Sequence, residues 1–223
     1  MLKWRISTRK GGSQPPIHTQ KEGDLMNAPQ EPAGHPLQLN TTSSWSDALW
    51  MQLYPIYEAS FPEHIRKPER IVRNMLTNMD VFLHEGTLDG RGCSMALTGL
   101  LRDSGLLLVD YLAVSPAVRH QGIGRQTLQA IADWAKATYQ IQGLLIEAEV
   151  DESEEGRSRI HFWEGCGFEP TEYVHSYVWI PEKYQAMLLD LQPESTPQEE
   201  RLPRDGEKLF RSIEAFHRAS YAR

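Results

Sequence analysis

The alternation of apolar and polar positions along the chain predicts an α/β protein. A continuous apolar run at 106–114, closed by Ser115 and Pro116, is typical of a buried strand. From Ile123 onward, apolar residues recur every three or four positions, which is the spacing that places them on one face of a helix. A second apolar run at 144–150 predicts another buried strand. Strands and helices therefore alternate through the middle of the chain.

Shorter patterns predict further elements before this region. Ser44 or Ser46 is a candidate N-cap for the first helix, and Pro55 either interrupts or kinks it. The predicted elements are helices at 49–57 and 68–79 and strands at 81–84 and 93–101. A Gly-rich turn joins these two strands.

The two ends of the chain differ from its middle in composition. Residues 1–43 are rich in Pro, Gly, Gln, Ser and Thr without apolar periodicity, so we expect a disordered leader, with Met26 as an alternative start. Residues 44–192 form the predicted central domain. Residues 193–223 form a linker and a helix at 208–221, which covers either its own domain or the partner subunit of a homodimer.

Residues 119–124, with the sequence Arg-His-Gln-Gly-Ile-Gly, lie between the strand at 106–114 and the following helix. The start of a helix has backbone N–H groups without intrahelical partners and a partial positive charge, which suits an anion. Glycines let a phosphate approach the backbone, and Arg119, His120 and Arg125 add positive charge. The segment therefore predicts a site for a diphosphate-bearing cofactor. The alternative is a tight turn with solvated arginines.

Charge and composition restrict the classes of function. The net charge of -7 argues against nonspecific nucleic-acid binding, and no apolar run approaches the ~20 residues of a membrane span. The two cysteines, Cys93 and Cys166, make neither a disulfide framework nor a metal-binding cluster, and Lys3 to Lys10 lack the apolar segment of a secretory signal. We therefore expect a cytoplasmic protein without a metal.

Two segments resemble the GNAT superfamily of acetyl-CoA-dependent N-acyltransferases. In residues 112–124, Arg119, Gly122 and Gly124 fill the family's Arg/Gln-x-x-Gly-x-Gly pattern, and residues 159–168 resemble its later helix and the Gly-Phe that starts the next strand. The resemblance covers about 81–180. It implies an α/β GNAT-like fold with a central mixed, mostly antiparallel sheet flanked by helices. The chain lacks residues that a P-loop or a dinucleotide-binding fingerprint requires.

The resemblance also implies a reaction, the transfer of an acetyl group from acetyl-CoA to the amine of a small molecule or peptide. In the family, backbone N–H groups of the strand before the glycines polarise the thioester, and Leu112 to Val114 match that position. The residues expected at the acetyl-CoA site are Leu112, Ala113, Val114, Arg119, His120, Gln121, Gly122, Ile123, Gly124 and Arg125.

Glu147 and Glu149 are the candidate catalytic bases, because they alternate along an apolar strand and share one face. Their mutual repulsion is expected to raise at least one pKa toward the range of a useful base, with Glu149 slightly favoured. The alternatives are a solvated edge or a salt bridge with Arg157 or Arg159.

A third possibility is a loop that contacts substrate, in which Glu63 would suit an ammonium and Arg66 a carboxylate, next to His64.

Two positions depart from the family pattern. Trp163 stands where many members have the tyrosine proposed to protonate the thiolate, and Gly156 stands where many have an asparagine that helps hold CoA. Tyr173 or Tyr177 could supply a hydroxyl instead, or the thiolate leaves without a dedicated acid. The alternative function is a catalytically silent acyl-CoA-binding regulatory module.

Overall fold

A computed structural model describes residues 36–177 and 182–222. Met26 and the rest of residues 1–35 lie outside the described residues. The strands are β1 (Gln38–Thr42), β2 (Val81–Leu88), β3 (Arg91–Leu101), β4 (Leu106–Val114), β5 (Gly143–Glu149), β6 (Glu169–Ser176) and β7 (Lys183–Asp190). The helices of more than one turn are α1 (Asp47–Ser60), α2 (Glu69–Asn78), α3 (Ile123–Tyr139), α4 (Glu154–Gly165) and α5 (Gly206–Ser220).

The strands form one sheet in the order β1-β2-β3-β4-β5-β7-β6, and only β4 and β5 pair in parallel. The prediction of a mixed, mostly antiparallel sheet flanked by helices is therefore confirmed. Apolar residues of α1, α2 and α5 pack on one face, which we call the α5 face, around Met95, Tyr111 and Leu145. Residues of α3 and α4 pack on the opposite face, around Leu107 and Ile146.

Strand β1 corrects the predicted extent of the leader. Residues 38–42 pair antiparallel with β2, and Thr41 Oγ1 lies 2.8 Å from Nδ1 of the buried His84. The other ring nitrogen of His84 lies 2.8 Å from Thr98 Oγ1. The prediction that this segment is disordered is wrong, because a polar strand at a sheet edge derives its stability from backbone pairing and not from an apolar period.

Helix α1 settles the two open questions about its sequence. Ser46 is the N-cap, since its Oγ accepts a hydrogen bond from the Leu49 N–H at 3.3 Å. The helix continues through Pro55 to Ser60. Pro55 lies on the exposed side, so water can satisfy the carbonyl group that loses its helical partner.

The C-terminal segment belongs to the same packed core as the central domain. Leu202 and the α5 residues Leu209, Ile213 and Phe216 are buried in one cluster with residues of β3 and β4. Helix α5 thus covers its own domain, as the simpler of the two predicted arrangements requires, and the predicted boundary at 192 does not divide the core. A homodimer stays a prediction.

Across residues 36–177 and 182–222, none of the helices combines the length and apolar character needed to cross a membrane. The cytoplasmic location stays a prediction.

Candidate active site

The sheet opens between β4 and β5, which pair in parallel. β4 and β5 pair from Leu106 opposite Gly143 to Leu108 opposite Leu145, and the pairing then stops although both strands continue. β4 stays paired with β3, and β5 stays paired with β7. The second half of β4 therefore has an edge that faces a gap inside the sheet.

A bulge in β4 marks the point where the gap begins. Tyr111 lies opposite Leu97 and Val109 lies opposite Thr98, so Asp110 is the extra residue of the pair. A bulge interrupts the alternation of side chains along a strand. Asp110 and Tyr111 consequently both point to the α5 face, where each contacts Lys67.

Two of the three predicted amide donors face the gap. The Ser115 N–H donates to the Cys93 carbonyl at 2.8 Å, and hydrogen-bonded pairs alternate with non-bonded pairs along an antiparallel ladder. Ala113 therefore directs its amide to β3, while Leu112 and Val114 turn theirs toward the gap. The Val114 carbonyl, on the same edge, accepts a hydrogen bond from Arg119 Nε at 3.0 Å.

The loop that joins β4 to α3 ends at the N-terminus of that helix, close to Val114 at the end of β4. Gly122 is the N-cap of α3 with φ 77°, a left-handed conformation that favours glycine, and a Cβ there would meet only Gln126 Nε2 at 3.8 Å. The first N–H groups of α3 have no intrahelical partners. A cavity of about 210 Å³ lies at this helix end, lined by residues of the loop, by Val114 and Val118, and by Phe162 of α4.

The charged residues of the loop differ in what they contact. Arg119 also donates from Nη2 to Ser60 Oγ at 3.0 Å, so its guanidinium joins the end of α1 to the end of β4. Arg125 lies against the end of α4, because a Cβ on Gly165 would be 3.2 Å from its Nη2. His120 and Gln121 are exposed, and His120 has a φ of 63°. The structure thus brings Arg119, His120 and Arg125 to one cavity wall.

Glu147 lies on the α5 face and has two strong hydrogen bonds. His175 Nε2 and the Tyr177 hydroxyl each donate to Oε1 at 2.6 Å, whereas Oε2 is buried and has no hydrogen-bond partner within the described residues. Burial by itself raises the pKa of Glu147, but the hydrogen bond from His175 and the nearby His217 ring hold that pKa below its ordinary value. Glu147 is therefore not the glutamate whose pKa was expected to be raised by repulsion between the two carboxylates.

Glu149 takes the salt-bridged arrangement that was the alternative to a catalytic base. Its Oε2 lies 3.3 Å from Nη2 of Arg159, and the same nitrogen lies 3.4 Å from Asp151 Oδ2. The sequence suggested Arg157 or Arg159 as the partner, and the structure places Arg159 beside Glu149. Glu147 and Glu149 lie two positions apart on β5, but they have different partners.

A cluster of buried charged side chains completes the α5 face, and the sequence reasoning missed it. Lys67 Nζ donates to both oxygens of Asp110 at 2.8 and 2.7 Å, and both side chains are buried. His217 Nδ1 lies 3.4 Å from Lys67 Nζ. Burial raises the pKa of Asp110, but the Lys67 ammonium outweighs this and holds it below its ordinary value. Burial and the Lys67 charge lower the pKa of His217.

One sequence signal could have indicated part of this cluster. Asp110 is the single charged residue in the apolar run at 106–114, and a charged side chain in a buried strand requires a partner. Lys67, His175 and His217 come from segments that are distant in sequence, and no periodic pattern connects them with Asp110.

The two departures from the family pattern have local explanations. Trp163 is buried in the core and lies edge-to-face with Phe168 at 5.3 Å between ring centroids. Gly156 lies in the first turn of α4, where its N–H donates to the N-cap Ser153 Oγ and a Cβ would lie 2.3 Å from the Asp151 carbonyl oxygen. An asparagine could not occupy that position without a shift of the backbone.

Other candidate residues are less closely connected with the gap. Glu63 and His64 are exposed in a short 3₁₀ turn, and Arg66 Nη1 pairs with Glu58 Oε1 at 3.2 Å. Tyr173 is partly exposed on β6. Within the described ranges, no group of three or more His, Cys, Asp or Glu side chains is arranged to hold a metal ion.

Residues 82–170 match the family model described as an acetyltransferase (GNAT) domain. The matched segment runs from β2 to the start of β6, so the likeness to the GNAT family lies in the central part of the chain.

Several solved structures are similar to this chain. A Bacteroides thetaiotaomicron protein of the GNAT family has a TM-score of 0.62 at 15% identity, covering 83% of this chain and 99% of that one. The ribosomal-protein-S18-alanine N-acetyltransferase of Escherichia coli has a TM-score of 0.50 at 18% identity, covering 72% of this chain and 99% of that one. The dodecameric spermidine N-acetyltransferase of Vibrio cholerae has a TM-score of 0.54 at 10% identity, covering 70% of this chain and 94% of that one. At these identities the likeness shows the fold. A search of curated proteins gave no match.

Proposed function

We propose that this protein is an N-acetyltransferase that transfers an acetyl group from acetyl-CoA to the amine of a small molecule or peptide. The observation that carries the proposal is the gap between β4 and β5, where the Leu112 and Val114 amides face an open edge beside the α3 N-terminus. Backbone N–H groups in such a position suit an oxygen that gains negative charge during acyl transfer.

The residues around the cavity fit the cofactor. The N–H groups of Gly122, Ile123 and Gly124 suit the diphosphate, and Arg119, His120 and Arg125 supply positive charge at the same wall. When bound, acetyl-CoA supplies the acetyl thioester. Gln121 lies in the same loop, and Ala113 supports β4 through its bonds to β3.

The acceptor amine is proposed to approach from the α5 face, with Glu147 as its contact. An ionised carboxylate with an oxygen that has no hydrogen-bond partner suits an ammonium, and it can accept the proton that the ammonium must lose before its nitrogen attacks the thioester. Glu149 is the second candidate for this role, although its pairing with Arg159 leaves its charge balanced. Tyr177 is a poor proton donor to the thiolate, because burial and the Glu147 charge raise its pKa far above the ordinary value.

The second candidate function is a catalytically silent module that binds acyl-CoA. The observation that favours it is Trp163, which carries no acidic hydroxyl and is buried in the core. A missing proton donor does not exclude catalysis, however, because a thiol with a pKa of about 8.5 can leave as the thiolate near neutral pH.

Thiol release from acetyl-CoA across a panel of amines separates the two functions. The similar structures suggest spermidine and an alanine-terminated peptide, to which we add an aminoglycoside and free amino acids. We expect at least one amine to accelerate release, with an equal amount of acetylated amine by mass spectrometry. Calorimetric binding of acetyl-CoA without any acceleration would favour the module, and absence of binding would reject both functions.

A further inference from the structure

Helix α5 contributes a histidine to the acceptor side from outside the matched family domain. The family model covers residues 82–170, whereas α5 begins at Gly206. Ile213 and Phe216 are buried in the core on this helix, so the following residue, His217, is held in a fixed position over the α5 face. The matched domain alone therefore does not contain every side chain of this face.

The contacts of His217 determine the position of its proton. Its Nδ1 lies 3.4 Å from Lys67 Nζ, and an ammonium group can only donate. Nδ1 must then be the acceptor, so a neutral ring has its proton on Nε2. His217 Nε2 lies 3.8 Å from Glu147 Oε2, and His217 Nδ1 lies 4.0 Å from Asp110 Oδ1.

Glu147 Oε2 is the oxygen that such a donor can influence. It is buried and has no hydrogen-bond partner within the described residues, which is costly for a carboxylate oxygen. The His217 side chain is 18% exposed, compared with 2% for Glu147, so His217 reaches closer to the surface than the carboxylate does. Tyr177 is the other partly exposed member of the group.

We propose that His217 is a positioning residue that orients Glu147 for a cationic acceptor amine. Lys67 fixes the ring so that Nε2–H points toward Glu147 Oε2, and this donor keeps the carboxylate ionised and in one rotamer. The proposal rests on the proposed function for its substrate, an amine that carries positive charge. Its physical core, the effect of His217 on Glu147, is independent of the acceptor.

Two substitutions separate positioning from other roles. His217→Gln keeps an acceptor for Lys67 and a donor for Glu147 but cannot carry a proton, whereas His217→Leu keeps only bulk. Arg218→Gln, on the exposed side of the same helix, is the control. With spermidine as the first acceptor tested, we expect His217→Leu to raise the acceptor KM about tenfold, because Glu147 loses the neighbouring donor that orients it, with little change in kcat. The KM for acetyl-CoA should stay constant, and His217→Gln should resemble the wild type.

A carbon NMR titration of the Glu147 carboxyl gives a readout without any acceptor. We expect His217→Leu to raise the pKa of Glu147 and His217→Gln to leave it low. If the Leu variant changes neither the acceptor KM nor this pKa, or if Gln is as defective as Leu, the proposal is overturned. If no amine is acetylated, the proposed function fails, and the titration still decides whether His217 controls Glu147.

Discussion

Gly99 lies directly beneath Phe216, because a Cβ built on Gly99 would be 2.1 Å from Cε2 of that ring. Gly99 is on β3 and Phe216 is on α5, so this contact joins the centre of the sheet to the C-terminal helix. The absence of a side chain at position 99 lets the ring pack against the backbone. The same contact fixes the neighbouring His217.

Gly99→Ala should therefore destabilise the protein. The added methyl group cannot fit under the ring, and overpacking of this kind costs about 1–3 kcal/mol. The measurement is the free energy of unfolding in urea. The Phe216→Leu background provides the control, since a smaller side chain leaves room for the methyl group, and Gly99→Ala should cost less there. Equal costs in both backgrounds would show that the two residues do not interact.

Gly122→Val should weaken CoA binding tenfold or more, equivalent to about 1.4 kcal/mol. The side chain would separate the diphosphate from the α3 amides, and the left-handed backbone of Gly122 would also be strained. Gly105→Val is the matched control, because Gly105 has a φ of 65° and lies away from the cavity. Both variants should lose stability, but only the first should lose affinity in calorimetry. An unchanged dissociation constant for Gly122→Val would contradict the cofactor site.

Lys67→Met should destabilise the fold strongly. It leaves the buried Asp110 carboxylate without its main partner, and removal of one member of a buried ion pair costs about 3–5 kcal/mol. The double variant Lys67→Met with Asp110→Leu should recover part of the loss. Urea unfolding measures each variant. A double variant that is less stable than the single one would argue against an uncompensated charge as the cause.

The stability of the wild type should fall on acidification below about pH 4. The folded-state pKa values of Asp110 and Glu147 are lower than their ordinary values, so their contribution is complete above the unfolded pKa and is lost as the pH falls toward the folded pKa. The measurement is the urea midpoint between pH 3 and 6. In Lys67→Met the pKa of Asp110 is no longer held down, so the same acid range should cost less stability. An equal acid dependence would mean that Asp110 does not contribute.

Glu147→Gln should lower kcat/KM for the acceptor about tenfold to a hundredfold, the range expected for a lost hydrogen bond to a charged group. Glu149→Gln is the control, because Glu149 is paired with Arg159 and its loss should change acceptor kinetics less. Steady-state rates with the best amine of the panel provide the comparison. If Glu149→Gln has the larger effect, the acceptor contact moves to Glu149.

The sequence by itself determined most of the secondary structure and the glycine loop between β4 and α3. The apolar run of β4 and the helical period of α3 were readable because each depends on neighbours in the chain, and Gly122 was readable because a turn into a helix needs a residue that tolerates positive φ. The same local logic failed for β1, whose polar residues have no apolar period. The domain boundary predicted from the sequence also stopped at residue 192, although Leu202 is buried in the core.

Only the tertiary structure decided where the charged groups meet. A bulge at Asp110 places two consecutive side chains on one face, and a bulge depends on the pairing of two strands. The cluster joins Lys67, Glu147 and His217 across segments separated by up to 150 positions. Sequence periodicity reports which side of an element faces the core, whereas the pKa of a buried group depends on partners that only the folded chain brings within hydrogen-bond distance.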